Sequence, residues 1–262
     1  MKFAVFLAFA AIAGITMSAE TPAKENEPAV AAQAEVSPAE AAAKLITRVL
    51  PGQSSRFLCE TIPQENGSDV FEIEAKDGKI VLRGNNGISI AMAFNWYLRY
   101  TAKTNFDWQA AAPLEIQGEL PLPVTKVRQT CAAKERFFLN YCTYGYTMPW
   151  WGWEQWQRFV DWMAMNGINR PLLQAGTEAV WLEVWKSYGL TDEQVRTYFG
   201  SPAHLPWHRM ANHDKWDRPL PASYIEGQMK LQKCVCDPES HFGFATLAST
   251  RRLVKVQFGL NL

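Results

Sequence analysis

From residue 136 onward the chain alternates strand-type and helix-type segments, and that alternation constrains its fold more than any other feature. Arg136-Phe137-Phe138-Leu139-Asn140-Tyr141 is a mostly apolar run ending in polar residues, the pattern of a buried strand. Trp153, Trp156, Phe159, Val160 and Met163 then recur at helical spacing, and Asn166-Gly167 supplies a helix stop. Residues 168–173 read as a second strand and residues 179–188 as a second helix. Thr191-Asp192-Glu193-Gln194 is a capping box opening a third helix through Phe199. Strand, helix, strand, helix is the signature of parallel β/α units, whose sites lie at the carboxyl ends of the strands. Those ends carry Asn140, Tyr141 and Cys142 after the first strand, and Gly176, Thr177 and Glu178 after the second.

The preceding block has another rhythm. Residues 38–46 suit a helix with its acid early and its base late. Residues 56–60 look like a strand. Residues 69–75 alternate with period two, residues 80–83 follow, and Asp77-Gly78 between them is a strong hairpin signal. Apolar positions 88, 91, 92, 96 and 98 place a covering helix over residues 88–100, and Leu120-Pro121-Leu122-Pro123 closes the block as a stiff connector. This predicts a small α/β domain over residues 39–125, able to persist as a folded unit, with a second block from Lys126. Ahead of both, residues 3–15 are apolar, follow a basic start and precede Ser18-Ala19, so residues 1–19 read as a signal peptide. The run is too short for a stable membrane span. Residues 20–38, rich in Ala, Glu and Pro, read as a flexible spacer.

Charge and composition remove several functions. Lys+Arg and Asp+Glu are 26 each, so no net field favours a polyanion, and no basic stripe points to nucleic acid. Five cysteines, irregularly spaced, do not make a disulfide scaffold. Cys234-Val235-Cys236 with His241 lacks the spacing and fourth ligand of a structural zinc, and no metal or cofactor is expected. His204, His208 and His213 have no zinc spacing either and read as core or loop histidines. Trp150, Trp151, Trp153, Trp156 and Trp162 lie too close together for all to face one core, which leaves some to line a cleft against sugar C–H faces. Glu178 has two readings, a site acid or an acid favoured by the dipole of a helix first turn. Cys142 reads more readily as a small buried hydrophobe than as a reactive thiol.

Several motifs resemble one family. Arg136-Phe137-Phe138-Leu139-Asn140-Tyr141-Cys142-Thr143, Trp150-Trp151-Gly152-Trp153 and Asp161-Trp162-Met163-Ala164-Met165-Asn166-Gly167-Ile168-Asn169 are similar to the start of the catalytic domain of α-N-acetylglucosaminidases, family 89 of the glycoside hydrolases. So are Gly176-Thr177-Glu178-Ala179-Val180-Trp181, Pro202-Ala203-His204-Leu205-Pro206-Trp207-His208-Arg209-Met210 and Pro219-Leu220-Pro221. The resemblance runs from about Leu50 to Gln232. It implies an exported exo-hydrolase that removes terminal α-linked N-acetylglucosamine with retention, and a glycan as the binding partner. It also implies an α/β fold: a small N-terminal α/β domain followed by the N-terminal part of a (β/α)8 TIM-type barrel, here residues 126–233. By the same resemblance Asn140 and Cys142 line the N-acetylglucosamine pocket, Glu178 is an acid at its rim, and Trp207 is an aromatic of the loop above. Thr177 stands where the family usually has Gln, losing an amide that could bond a sugar hydroxyl.

After Lys233 the motif reading finds no further resemblance, so residues 234–262 form a tail of their own. A retaining glycosidase needs two carboxyl groups about 5–5.5 Å apart, and the family's pair falls beyond this stretch. The residues after 125 are also far fewer than the ~250 of a complete barrel. The sequence therefore implies a fragment without catalytic residues, by frameshift or premature stop in preference to a natural short form. The alternative is a secreted glycan-binding protein without chemistry.

Overall fold

The computed structural model describes residues 36–236 except positions 111 and 173, so the expected signal peptide, most of the spacer and the tail with His241 lie outside the described residues. Helix α1 (Pro38–Val49) begins where the Ser37 hydroxyl accepts the Glu40 amide at 3.2 Å and Pro38 takes the first turn. Its buried face is Ala42, Leu45, Ile46 and Val49, the i, i+3, i+4, i+7 stripe of an amphipathic helix.

Strands β1 (Phe57–Thr61), β2 (Asp69–Lys76), β3 (Lys79–Gly84) and β4 (Val127–Cys131) form one sheet in the order β1-β3-β2-β4. β2 and β3 are the expected hairpin, and β1 lies parallel to β3. Asp77 and Gly78 both take positive φ, 50° and 73°, as a two-residue turn matched to strand twist requires. Phe71, Ile73, Ile80 and Leu82 point into the core. The other face carries a cross-strand row in which Glu60, Arg83, Glu72 and Arg128 are register partners. Arg83 bonds Glu60 at 2.5 Å and Glu74 at 2.6 Å, and Arg128 pairs with Glu72 and Glu65. β4 lies past the expected boundary at residue 125, yet it pairs with β2 and completes the first sheet.

Helix α2 (Gly87–Trp96) is capped by Asn86, whose side chain accepts the Ser89 amide at 2.8 Å. It is buried on nearly all sides because it packs on α1, on β2 and β3, and on α4 (Trp153–Met165) of the second block. One continuous hydrophobic cluster therefore runs from α1 through α2 to α4. Polar clamps reinforce it. Arg48 grips the buried Asp161 at 2.6 and 2.8 Å, Asn95 donates to the Met165 carbonyl at 2.9 Å, and Arg136 reaches Asp69 at 2.5 Å.

The second block contains β5 (Phe137–Phe138), α3 (Tyr141–Thr147), α4, β6 (Arg170–Pro171), α5 (Thr177–Ser187), α6 (Asp192–Tyr198), α7 (Leu205–Arg209) and α8 (Ala222–Cys236). β5 and β6 are parallel, as the alternation implies, with Phe137 opposite Arg170 and Phe138 opposite Pro171. Both are shorter than the sequence suggests. Leu139 leaves the extended region at φ 102° and Asn140 caps α3, so Tyr141 and Cys142 open a helix instead of ending a strand. The architecture is mixed α/β with two parallel β/α units, and no closed barrel forms among the described residues. No described helix is long and apolar enough to cross a membrane.

Candidate functional site

The carboxyl ends of β5 and β6 are joined by a chain of polar contacts. Asn140 uses its Oδ1 as the α3 cap, accepting the Thr143 amide at 2.9 Å and the Thr143 hydroxyl at 2.7 Å. Its carbonyl accepts Gln174 Nε2, beyond β6, at 3.1 Å. Gln174 Oε1 accepts Arg209 Nη1 at 3.0 Å, and the Arg209 Nε and Nη2 donate to the two oxygens of Glu178, each at 2.8 Å. Glu178, 3% exposed, and the Arg209 guanidinium are both buried, so this fork is a desolvated, bidentate ion pair. Burial opposes the charge on Arg209, but Glu178 outweighs it and holds its pKa above the ordinary value.

Below the fork, the Arg209 guanidinium lies 5.5 Å from the Tyr144 ring centre. The Tyr144 hydroxyl donates to Gln228 Oε1 at 3.0 Å, and Gln228 Nε2 and the Tyr224 hydroxyl both reach the Pro149 carbonyl at 3.4 Å. Burial pushes the Tyr144 phenol up to about 12 and raises Tyr224 further. These phenols act as neutral hydrogen-bonding groups.

Of the residues singled out in the sequence, Asn140 is exposed at the head of α3 and Cys142 is half-buried in its first turn. Trp207, on α7, packs against α3 so closely that a Cβ on Gly145 would come within 2.6 Å of its ring. The fold thus brings Asn140, Cys142 and Trp207 onto two adjacent helices, with Glu178 tied to the second through Arg209. Glu178 does not stand free at a rim, because both its oxygens are committed to a guanidinium. The Thr177 hydroxyl turns inward to the Gln174 carbonyl at 2.8 Å. Arg209, Gln174 and Tyr144 escaped the sequence reading as functional residues. Arg209 lies 31 positions from Glu178, and nothing local marks the pair.

The tryptophan cluster is mainly core. Trp156 is buried, Trp151 meets the rings of Trp108, Trp156 and Phe159, and Trp162 stacks on Phe159 at 5.8 Å. Trp108, distant in sequence, extends the aromatic layer and makes room for rings that seemed too many for one core. Trp150 is the exception, 65% exposed beside Tyr224. His208 is a core residue, as expected, whereas His204 closes a short 3-10 turn (Pro202–His204) ahead of α7 and is bonded to Ser201 at 2.6 Å.

Polar groups gathered at the carboxyl ends of successive parallel strands, with helices packed outside, define a β/α protein laid out like the first units of a barrel enzyme. Two family profiles match in sequence order: the alpha-N-acetylglucosaminidase (NAGLU) N-terminal domain over residues 40–122, and the tim-barrel domain of the same family over residues 136–250. The second match runs past Lys233, where the motif reading stops. Human alpha-N-acetylglucosaminidase is 33% identical over 218 residues, covering 81% of this chain and 29% of the human protein. A family 89 glycoside hydrolase from Clostridium perfringens, solved with PUGNAc, superposes with a TM-score of 0.74 at 33% identity, covering 79% of this chain and 24% of that one. The same enzyme with two glutamates changed to glutamine is solved with its substrate GlcNAc-alpha-1,4-galactose, at the same TM-score and identity. The chain belongs to the α-N-acetylglucosaminidase family, family 89 of the glycoside hydrolases. It spans less than a third of the length of these relatives.

Proposed function

We propose that this chain is the N-terminal domain and the opening units of the (β/α)8 barrel of an exported, exo-acting, retaining α-N-acetylglucosaminidase, and that these 262 residues do not by themselves catalyse hydrolysis. The observation that carries the reading is the ordered match of both family domains onto a fold whose two parallel strands end in one connected polar network. Asn140, Cys142 and Trp207 contribute to the N-acetylglucosamine pocket, and Glu178 supports it from beneath. Retaining hydrolysis needs one carboxyl group as acid and base and another as nucleophile. The buried carboxylates among the described residues are Glu72, Asp161 and Glu178, and each is neutralised by an arginine. These pairings support a reading in which the acid that protonates the glycosidic oxygen and the nucleophile at the anomeric carbon come from elsewhere.

Assay of the purified chain on an aryl α-N-acetylglucosaminide tests this. No N-acetylglucosamine should appear above background, and clear turnover would overturn the placement of the carboxylates elsewhere. Export to the periplasm or the medium rests on the apolar run at residues 3–15. N-terminal sequencing of chain recovered outside the cytoplasm should begin near Glu20, against an intact Met1 if the segment is not cleaved.

A further inference from the structure

His208 is the one imidazole in the described structure that is buried, 3% exposed, and it is caged by aromatic rings. Ring centres of Trp181, Tyr198 and Phe199 lie 5.6, 4.9 and 5.7 Å from its own. Neither ring nitrogen makes a hydrogen bond of good geometry. A neutral imidazole tolerates such a cage, whereas an imidazolium there loses its hydration and gains only ring contacts in place of hydrogen-bond acceptors for its two N–H groups. Burial is accordingly the main cause that lowers the pKa of His208. The backbone of His213 and the Glu178 carboxylate, on α5, favour the cation, and the charges of His213 and Arg209 oppose it.

His208 belongs to α7, a single turn, and its two neighbours in sequence face the candidate site. Trp207 presses on Gly145, and Arg209 holds Glu178 and Gln174. The chain beyond the turn passes through two left-handed non-glycine residues, Ala211 at φ 60° and Lys215 at φ 45°. We propose that α7 is an acid-released latch: protonation of His208 drives its ring out of the Trp181–Tyr198–Phe199 cage and frees the turn that carries Trp207 and Arg209. An exposed histidine takes up its proton near pH 6.5, about the ordinary value, and the caged ring binds one less readily. Stability from the cage is therefore complete above that value and declines as pH falls below it. The latch is a property of the fold and does not depend on which sugar the site holds.

Hydrogen exchange of the whole chain, read by peptide and corrected for intrinsic rates at about pH 7.5 and about pH 5, either side of the ordinary histidine value, tests the latch. Peptides covering residues 205–216 should exchange about tenfold faster at the lower pH, while those from α2 stay protected. His208→Leu should abolish the difference, and the double variant His204→Asn/His213→Asn should retain it. Unchanged exchange over 205–216, or a difference that survives His208→Leu, overturns the proposal. Should His208→Leu fail to fold, NMR titration of the native imidazoles decides the matter. Titration of His208 below the ordinary value, together with a shift of the Trp207 indole resonance, supports the latch, and titration at or above it overturns it.

Discussion

Glu178 shows how far a residue's burial can change its meaning. In sequence it is an acid at the start of a helix after a strand, a position equally suited to a ligand or to a dipole contact. In the fold both oxygens are spent on Arg209, and the same guanidinium fixes Gln174, which holds the backbone of Asn140. Removing one partner of such a pair strands the other charge in a low-dielectric site. Glu178→Ala should therefore cost about 3–5 kcal/mol, whereas the double change Glu178→Leu/Arg209→Met should recover much of that loss. Denaturant unfolding of the two single variants and the double variant measures the coupling. Additive losses would mean the pair is not the joint that ties β6 to α7.

At the scale of elements, the seat of α7 on α3 is the contact that sets the upper wall of the candidate site. A Cβ at Gly145 would meet Trp207 at 2.6 Å and the Ala203 carbonyl at 2.9 Å, and the second of these is backbone that gives way poorly. Gly145→Ala should destabilise by about 1–3 kcal/mol and raise the exposure of Trp207 in fluorescence quenching. Unchanged stability and quenching would show α7 to be loosely held. Elements of this kind divide into those legible in the sequence and those that were not. The β2–β3 hairpin, α1, α4 and the α6 capping box arise from local periodicity and turn chemistry, which act within a few residues. β4 was missed because its partner is β2, more than fifty residues earlier, and exposed Arg128, Gln129 and Thr130 give it no apolar run. α8 was not resolved as an element of its own, since its buried residues are spaced among polar ones. At the site, the residue types at the strand ends were visible. The Arg209–Gln174–Asn140 relay was not, because it exists only once three distant segments meet.

For the molecule as a whole, the continuity of the core matters more than the count of domains. α2 packs on both blocks, and the clamps Arg48–Asp161, Asn95–Met165 and Arg136–Asp69 cross between them. Residues 40–125 therefore do not hold a core independent of the second block, and thermal unfolding should show one transition over both. Two separate melts, or a stable proteolytic fragment ending near residue 125, would contradict that. As proposed, this chain forms the opening part of a retaining α-N-acetylglucosaminidase, an arrangement whose catalytic carboxylates are not among these residues. Its most direct test is proton NMR of aryl α-N-acetylglucosaminide hydrolysis by the chain joined in frame to the rest of the barrel of the Clostridium perfringens relative, with the chain alone as reference. No reaction is expected from the chain alone, and first release of the α-anomer from the joined protein. Hydrolysis by the chain alone, or first release of the β-anomer, would contradict it.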